Sequence, residues 1–167
     1  PSPFYVVELG AGNGQLARDV IDYITRLPSN FFECLRYIAL ERYPWPHVFK
    51  TTRSGAIQQI VSDRIPLMDI EGCLISNELV DSFPVHRFQV CDGMVKEVYV
   101  TLSSNDNFVE VLGSPSTPLL LKRLEEIGID FEDGFRGEVN LNIRAWLKEM
   151  TLAMRRGFIL TIDYGYI

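Results

Sequence analysis

A chain of 167 residues, 47% hydrophobic and 23% charged with a mean hydropathy of +0.06, is long enough to bury a core as one globular domain. A formal net charge of -6 without any basic run offers no footprint for nucleic acid, and no apolar run reaches the ~20 residues of a membrane span. Cys34, Cys73 and Cys91 lie far apart, without a CxxC pair or clustered histidines; this argues against a disulfide frame or a metal site and predicts three small core hydrophobes in a reducing compartment.

In chain order, Phe4 to Leu9 (FYVVEL) is an apolar run closed by glycines, which predicts a buried strand. Leu16, Ala17, Val20, Ile21, Ile24 and Leu27 then recur at helical spacing, with Pro28 as the stop. Leu35 to Leu40 predicts a second strand, Ala56 to Val61 a third, Gly72 to Ser76 a fourth and, entered through Gly157, Phe158 to Ile162 a fifth. Helical patterns run from Thr117 to Ile127 and from Asn142 to Arg155. Strands alternating with helices predict an α/β fold with a parallel sheet covered on both faces.

Two stretches break that alternation. Val85 to Leu112 holds three strand-like runs with Asp92-Gly93 as a tight turn, which predicts an antiparallel insertion at 85–112 after the fourth strand. Between Tyr43 and Arg53, Pro44 and Pro46 disfavour the regular helix that should join strands two and three. The first strand follows the first residue by three positions and the fifth ends close to the last, so the domain is expected to be a portion of a longer protein.

The chemistry starts after the first strand. Glu8, Leu9, Gly10, Ala11, Gly12, Asn13 and Gly14 form an ExGxGxG stretch that closes a strand and opens a helix. Glycines there let the backbone turn tightly and admit a ligand to the strand ends. Gln15 stands where a dinucleotide-binding GxGxxG would place its last glycine, and no GK[ST] follows to make a phosphate loop. A carboxylate at Glu8 would repel a pyrophosphate but can hold a cation, directly or through water. A sulfonium donor with a free amino group therefore fits better than a dinucleotide, and S-adenosyl-L-methionine is the expected cofactor. Glu41, ending the second strand, is placed to accept both ribose hydroxyls. After the third strand, Asp63 can accept from an adenine amino group, with Ile65 and Leu67 positioned to pack on the base.

Three further stretches carry a family resemblance: Ser76-Asn-Glu-Leu-Val-Asp-Ser-Phe-Pro-Val-His-Arg87, then Gly137-Glu-Val-Asn140, then Thr161-Ile-Asp-Tyr-Gly-Tyr166. Together they resemble the MidA/NDUFAF7 family of methyltransferases over nearly the whole chain. The resemblance implies a Rossmann-like class I methyltransferase domain with strand order 3-2-1-4-5 and a reversed pair of last strands, which this chain lacks. It also implies a protein substrate, because the mitochondrial member methylates arginine on a core subunit of respiratory complex I during assembly. The compartment it implies is the cytoplasm for a bacterial protein and the mitochondrial matrix for a eukaryotic one.

In an open parallel sheet, ligands lie across the carboxyl ends of the strands where strand order reverses. That point falls between strands one and four, so Asn77, Glu78 and Asp81 should face the donor methyl. Glu78 and Asp81, three residues apart, would share a face if a helical turn starts there, and two carboxylates can hold a guanidinium. The competing reading is that they favour a helix dipole. Asp163 and Tyr164 could wall the same cleft; His86 is more simply a structural residue opening the insertion than a general base, and His47 has no evident role. The donor motifs leave the acceptor open between protein arginine, a small molecule, and an assembly partner held with little turnover.

Overall fold

The chain was analysed as a computed structural model, which describes residues 2–28, 30–44 and 57–165. His47 and most of the irregular stretch after Tyr43 lie outside the described residues. Contacts divide the chain into two compact units, one of residues 1–82 and 145–167, the other of residues 83–144.

In the first unit, β1 (Phe4–Leu9), β2 (Leu35–Glu41), β3 (Ile57–Val61), β4 (Ile70–Asn77) and β9 (Met154–Ile162) form a sheet in the order β3-β2-β1-β4-β9. Every pairing in it is parallel. This is the expected 3-2-1-4-5 order, with β9 as the fifth strand. Side chains alternate across the sheet, so each face buries its own set. Val7, Leu9, Ile38, Leu40, Ile70 and Leu74 pack with Met150 and Ala153 of α4 (Ile143–Ala153). On the other face, Leu35 and Tyr37 pack with Ala17 and Ile21 of α1 (Gln15–Ile24).

The glycine pair Gly72 and Gly157 sets the spacing of three strands. Both have strongly positive φ, and a Cβ on Gly72 would lie 1.8 Å from the Tyr5 carbonyl oxygen of β1. A Cβ on Gly157 would lie 1.8 Å from the carbonyl oxygen of Gly72, its register partner. Any larger residue would push β1, β4 and β9 apart.

Several boundaries differ from expectation. Helix α1 stops at Ile24, because the N–H groups of Arg26 and Leu27 turn back onto Tyr23 and Ile24 before Pro28 is reached. A single-turn helix, α2 (Phe31–Cys34), intervenes before β2. The last helix ends at Ala153 rather than Arg155, since Met154, Arg155 and Arg156 already belong to β9. The cysteines are free thiols but half-buried, not core residues; burial still pushes the Cys73 thiol up.

The second unit contains the antiparallel strands β5 (His86–Cys91), β6 (Met94–Leu102) and β7 (Phe108–Gly113), followed by α3 (Pro118–Ile127) and β8 (Arg136–Val139). Its sheet order is β7-β6-β5-β8. The sequence reading missed β8, a four-residue strand with two charged side chains, although Arg87 and Glu138 now face each other across it. Phe88, Val90 and Val139 on one face pack against Leu120 and Leu124 of α3. Thr117 caps that helix by accepting from the Leu119 N–H.

Candidate functional site: the carboxyl edge of the parallel sheet

Strand order reverses between β1 and β4, so the open crevice lies where the glycine loop leaves β1. Gly10, Gly12 and Gly14 all adopt the left-handed conformation, with φ of 69°, 53° and 69°. A simple strand-to-helix turn would need one such residue; three in alternation coil the backbone and hold it low. The N–H groups of Gly10 and Ala11 donate to the Leu40 carbonyl at 3.0 and 3.2 Å, fastening the loop to the end of β2. A Cβ at Gly10 would crowd Leu79 Cδ1 at 2.7 Å, whereas a Cβ at Gly12 would meet nothing within 4 Å among the described residues. Asn13 serves the loop itself: its Oδ1 accepts from the Gln15 N–H at 3.0 Å and its carbonyl accepts from Arg18.

Glu41 ends β2 beside this loop. Its Oε2 accepts from the Gly12 N–H at 2.9 Å and its Oε1 from the Arg42 N–H at 2.7 Å. A carboxylate has about four lone-pair positions, so both oxygens keep capacity for ribose hydroxyls while bracing the loop.

Glu8 is more deeply placed than the sequence suggests, at 3% exposure. Its Oε2 accepts from the Tyr37 hydroxyl at 2.8 Å. Burial raises its carboxyl above the ordinary value; the Tyr37 hydrogen bond opposes that rise and the nearby Glu41 charge adds to it. Burial, and then the Glu8 charge, push the Tyr37 phenol up in turn. Tyr37 was overlooked in the sequence, although a hydroxyl within a largely apolar strand, two and four positions before Ala39 and Glu41 on the same face, is a usable signal.

Beyond β3, Ile65 and Leu67 are half-buried and pack on the core of the first unit. The Ile65 N–H is held by Glu149 of α4 at 2.9 Å, which ties this segment to the helix. Ser62 makes the turn by accepting from the Arg64 N–H, so Asp63 is not needed to cap it.

Asn77 ends β4 with its side chain exposed, and Glu78 follows with φ of +48°. A non-glycine residue there carries backbone strain of the kind that clusters at binding sites. The Glu78 N–H donates to the Ile162 carbonyl at 2.9 Å. Instead of a full helix, only a 3-10 turn over Val80–Ser82 follows, with Asp81 on it. The helix-dipole reading of Glu78 and Asp81 thus loses its helix. Asp163 caps the turn, its Oδ2 accepting from the N–H groups of Val80 and Asp81 at 3.1 and 3.2 Å. The Asp81 carboxylate, hydrogen-bonded to the Tyr164 hydroxyl, holds that phenol above its usual value. Asp163 therefore fixes the loop after β4.

His86 belongs to a different structure. Its Nδ1 meets Glu97 Oε1 at 2.7 Å, and Glu97 Oε2 accepts from the Ser116 N–H and the Tyr99 hydroxyl. Burial alone would raise the Glu97 carboxyl, but these bonds outweigh it and hold it at about 2. His86 is a structural residue of the second unit.

A doubly wound parallel sheet with a glycine loop at its switch point is the architecture of Rossmann-like nucleotide-binding domains. The comparisons agree. The chain belongs to the MidA/NDUFAF7 family: a family model described as an S-adenosyl-L-methionine-dependent methyltransferase matches residues 1–167. The protein arginine methyltransferase NDUFAF7 homolog, mitochondrial, of Drosophila melanogaster is 27% identical over 147 residues, covering 71% of this chain and 33% of that protein. A crystal structure of a Burkholderia thailandensis protein bound to S-adenosyl-homocysteine has a TM-score of 0.73 at 21% identity, covering 98% of this chain and 42% of that one. A native crystal structure from the same organism and superfamily gives 0.74 at 21% identity, covering 98% and 44%. The chain thus spans about a third of the curated relative's length and less than half of either crystallised chain.

Proposed function

We propose that this chain supplies the donor-binding half of an S-adenosylmethionine-dependent methyltransferase whose acceptor is a protein arginine. The observation that carries the reading is the glycine loop: three left-handed glycines at the switch point, with Glu41 bonded to the Gly12 N–H. Gly10, Ala11, Gly12, Asn13 and Gly14 would form the floor under the donor, Glu8 would receive its amino group, Glu41 its ribose, and Asp63 its adenine amino group. When bound, S-adenosylmethionine supplies an electrophilic methyl group on sulfur.

The chain's own part in the transfer is positioning. Glu78 and Asp81 hold the acceptor guanidinium through charge-assisted bonds and leave one nitrogen aimed across the crevice, with Asn77 beside it. In-line alignment of the two reacting atoms accounts for much of the rate, and the carboxylates favour the charge that develops on nitrogen. The capped loop after β4 suits this role because Asp163 restrains the Asp81 backbone before an acceptor arrives.

The arginine acceptor is also favoured by the name of the Drosophila relative, and a core subunit of respiratory complex I is the specific partner the family resemblance suggests. Incubating the intact protein with methyl-labelled donor and cell extract tests the reading. Label on a protein band, released as methylarginine on hydrolysis, is the expected result. Label confined to small molecules would make it a small-molecule methyltransferase, and absence of transfer would leave a donor-binding assembly factor.

A further inference from the structure

We propose that Tyr37 is a positioning residue for the donor: its hydroxyl fixes the Glu8 carboxylate so that Oε1 is presented to the amino-acid arm of S-adenosylmethionine. The inference rests on the donor-site reading above and adds to it a residue that never touches the ligand.

The geometry is asymmetric. Tyr37 is 1% exposed among Ala17, Ile21 and Leu35, a pocket that a phenylalanine ring would fill equally well. Its hydroxyl takes only one of the two Glu8 oxygens, Oε2. Among the described residues no hydrogen bond to Oε1 stands beside it, so Oε1 is the oxygen left for a ligand, two residues before Gly10. A buried carboxylate with one oxygen anchored and the other left for a ligand is an acceptor prepared for a cation.

The anchor also decides the charge. Tyr37 and Glu41 of β2 lie near Glu8, Cys73 of β4 lies by Tyr37, and α1 packs on this face through Ala17 and Ile21. Among the described residues, the Tyr37 hydroxyl is the group that favours the ionised form of Glu8, against burial and the Glu41 charge. Such a pair costs stability relative to two apolar residues of similar volume. It repays that cost only if Glu8 has a partner to receive.

The test is Tyr37→Phe in the intact protein, which keeps the ring and removes one oxygen. Calorimetry would compare S-adenosyl-homocysteine with 5′-methylthioadenosine, which keeps the adenosine and sulfur but lacks the amino-acid arm. Affinity for the first should fall roughly tenfold or more, with the second within about twofold. Equal loss for both would mean a general distortion of the site and would overturn the proposal, as would no loss for either. Glu8→Gln separates the two layers of argument. If it leaves S-adenosyl-homocysteine affinity unchanged, Glu8 is not a donor ligand and the underlying site assignment fails. If it weakens that affinity while Tyr37→Phe does not, only the role of Tyr37 is lost.

Discussion

Replacing Glu41 by glutamine separates two tasks that one carboxylate performs. The glutamine oxygen can still accept from the Gly12 N–H, now bonded at 2.9 Å, so the loop keeps its brace. The second carboxylate oxygen becomes an amide NH₂, a donor placed against the Arg42 N–H and against any ribose hydroxyl that needs an acceptor. One hydrogen bond to a charged group contributes about 1.5–3 kcal/mol, so losing one ribose contact should weaken donor binding roughly 10- to 150-fold. Glu41→Ala removes the brace as well and should weaken it further. Because both variants act on the ribose, S-adenosylmethionine, S-adenosyl-homocysteine and 5′-methylthioadenosine should lose affinity together, unlike the selective loss expected from Tyr37→Phe. Titration calorimetry on the three ligands reads this directly. Affinity lost for only one of them, or unchanged for all, would refute the ribose assignment.

Three further outcomes are expected. Gly12→Val at φ of 53° should cost about 1–2 kcal/mol of strain, a fall in Tm of about 2 to 8 °C, and abolish donor binding; Gly128→Val, equally left-handed and equally open, should lower Tm alone. Glu78→Gln keeps the shape after β4 but removes the charge, so methyl transfer should drop about 10²-fold or more with donor affinity within about twofold. Near-normal turnover there would remove Glu78 from the acceptor site. Glu8, whose folded carboxyl is raised by burial, contributes stability below its unfolded value that is lost as pH rises through the folded one. Glu8→Gln should therefore raise the Tm of the donor-free protein near pH 7.5, with the gain shrinking toward pH 4, near the unfolded carboxylate value of about 4.3. A gain that does not change with pH would mean that this carboxylate is not the source.

The amino-acid sequence by itself determined the parallel sheet, the glycine loop and the acidic residues around it. Those features are local: an apolar run makes β1, alternating glycines allow left-handed backbone, and Glu8, Glu41, Glu78 and Asp81 lie at or just past strand ends that hydrophobic patterning marks. What the sequence could not give was the partner of each group. Tyr37 lies 29 residues from the carboxylate it anchors, and Asp163 lies 83 and 82 residues from the N–H groups it caps. Likewise β8 carries too few apolar residues to announce itself and exists because β5 offers it an edge. Hydrophobic periodicity reports which face of an element is buried, but hydrogen-bond partners are chosen by the register of parallel strands, which only the closed sheet sets.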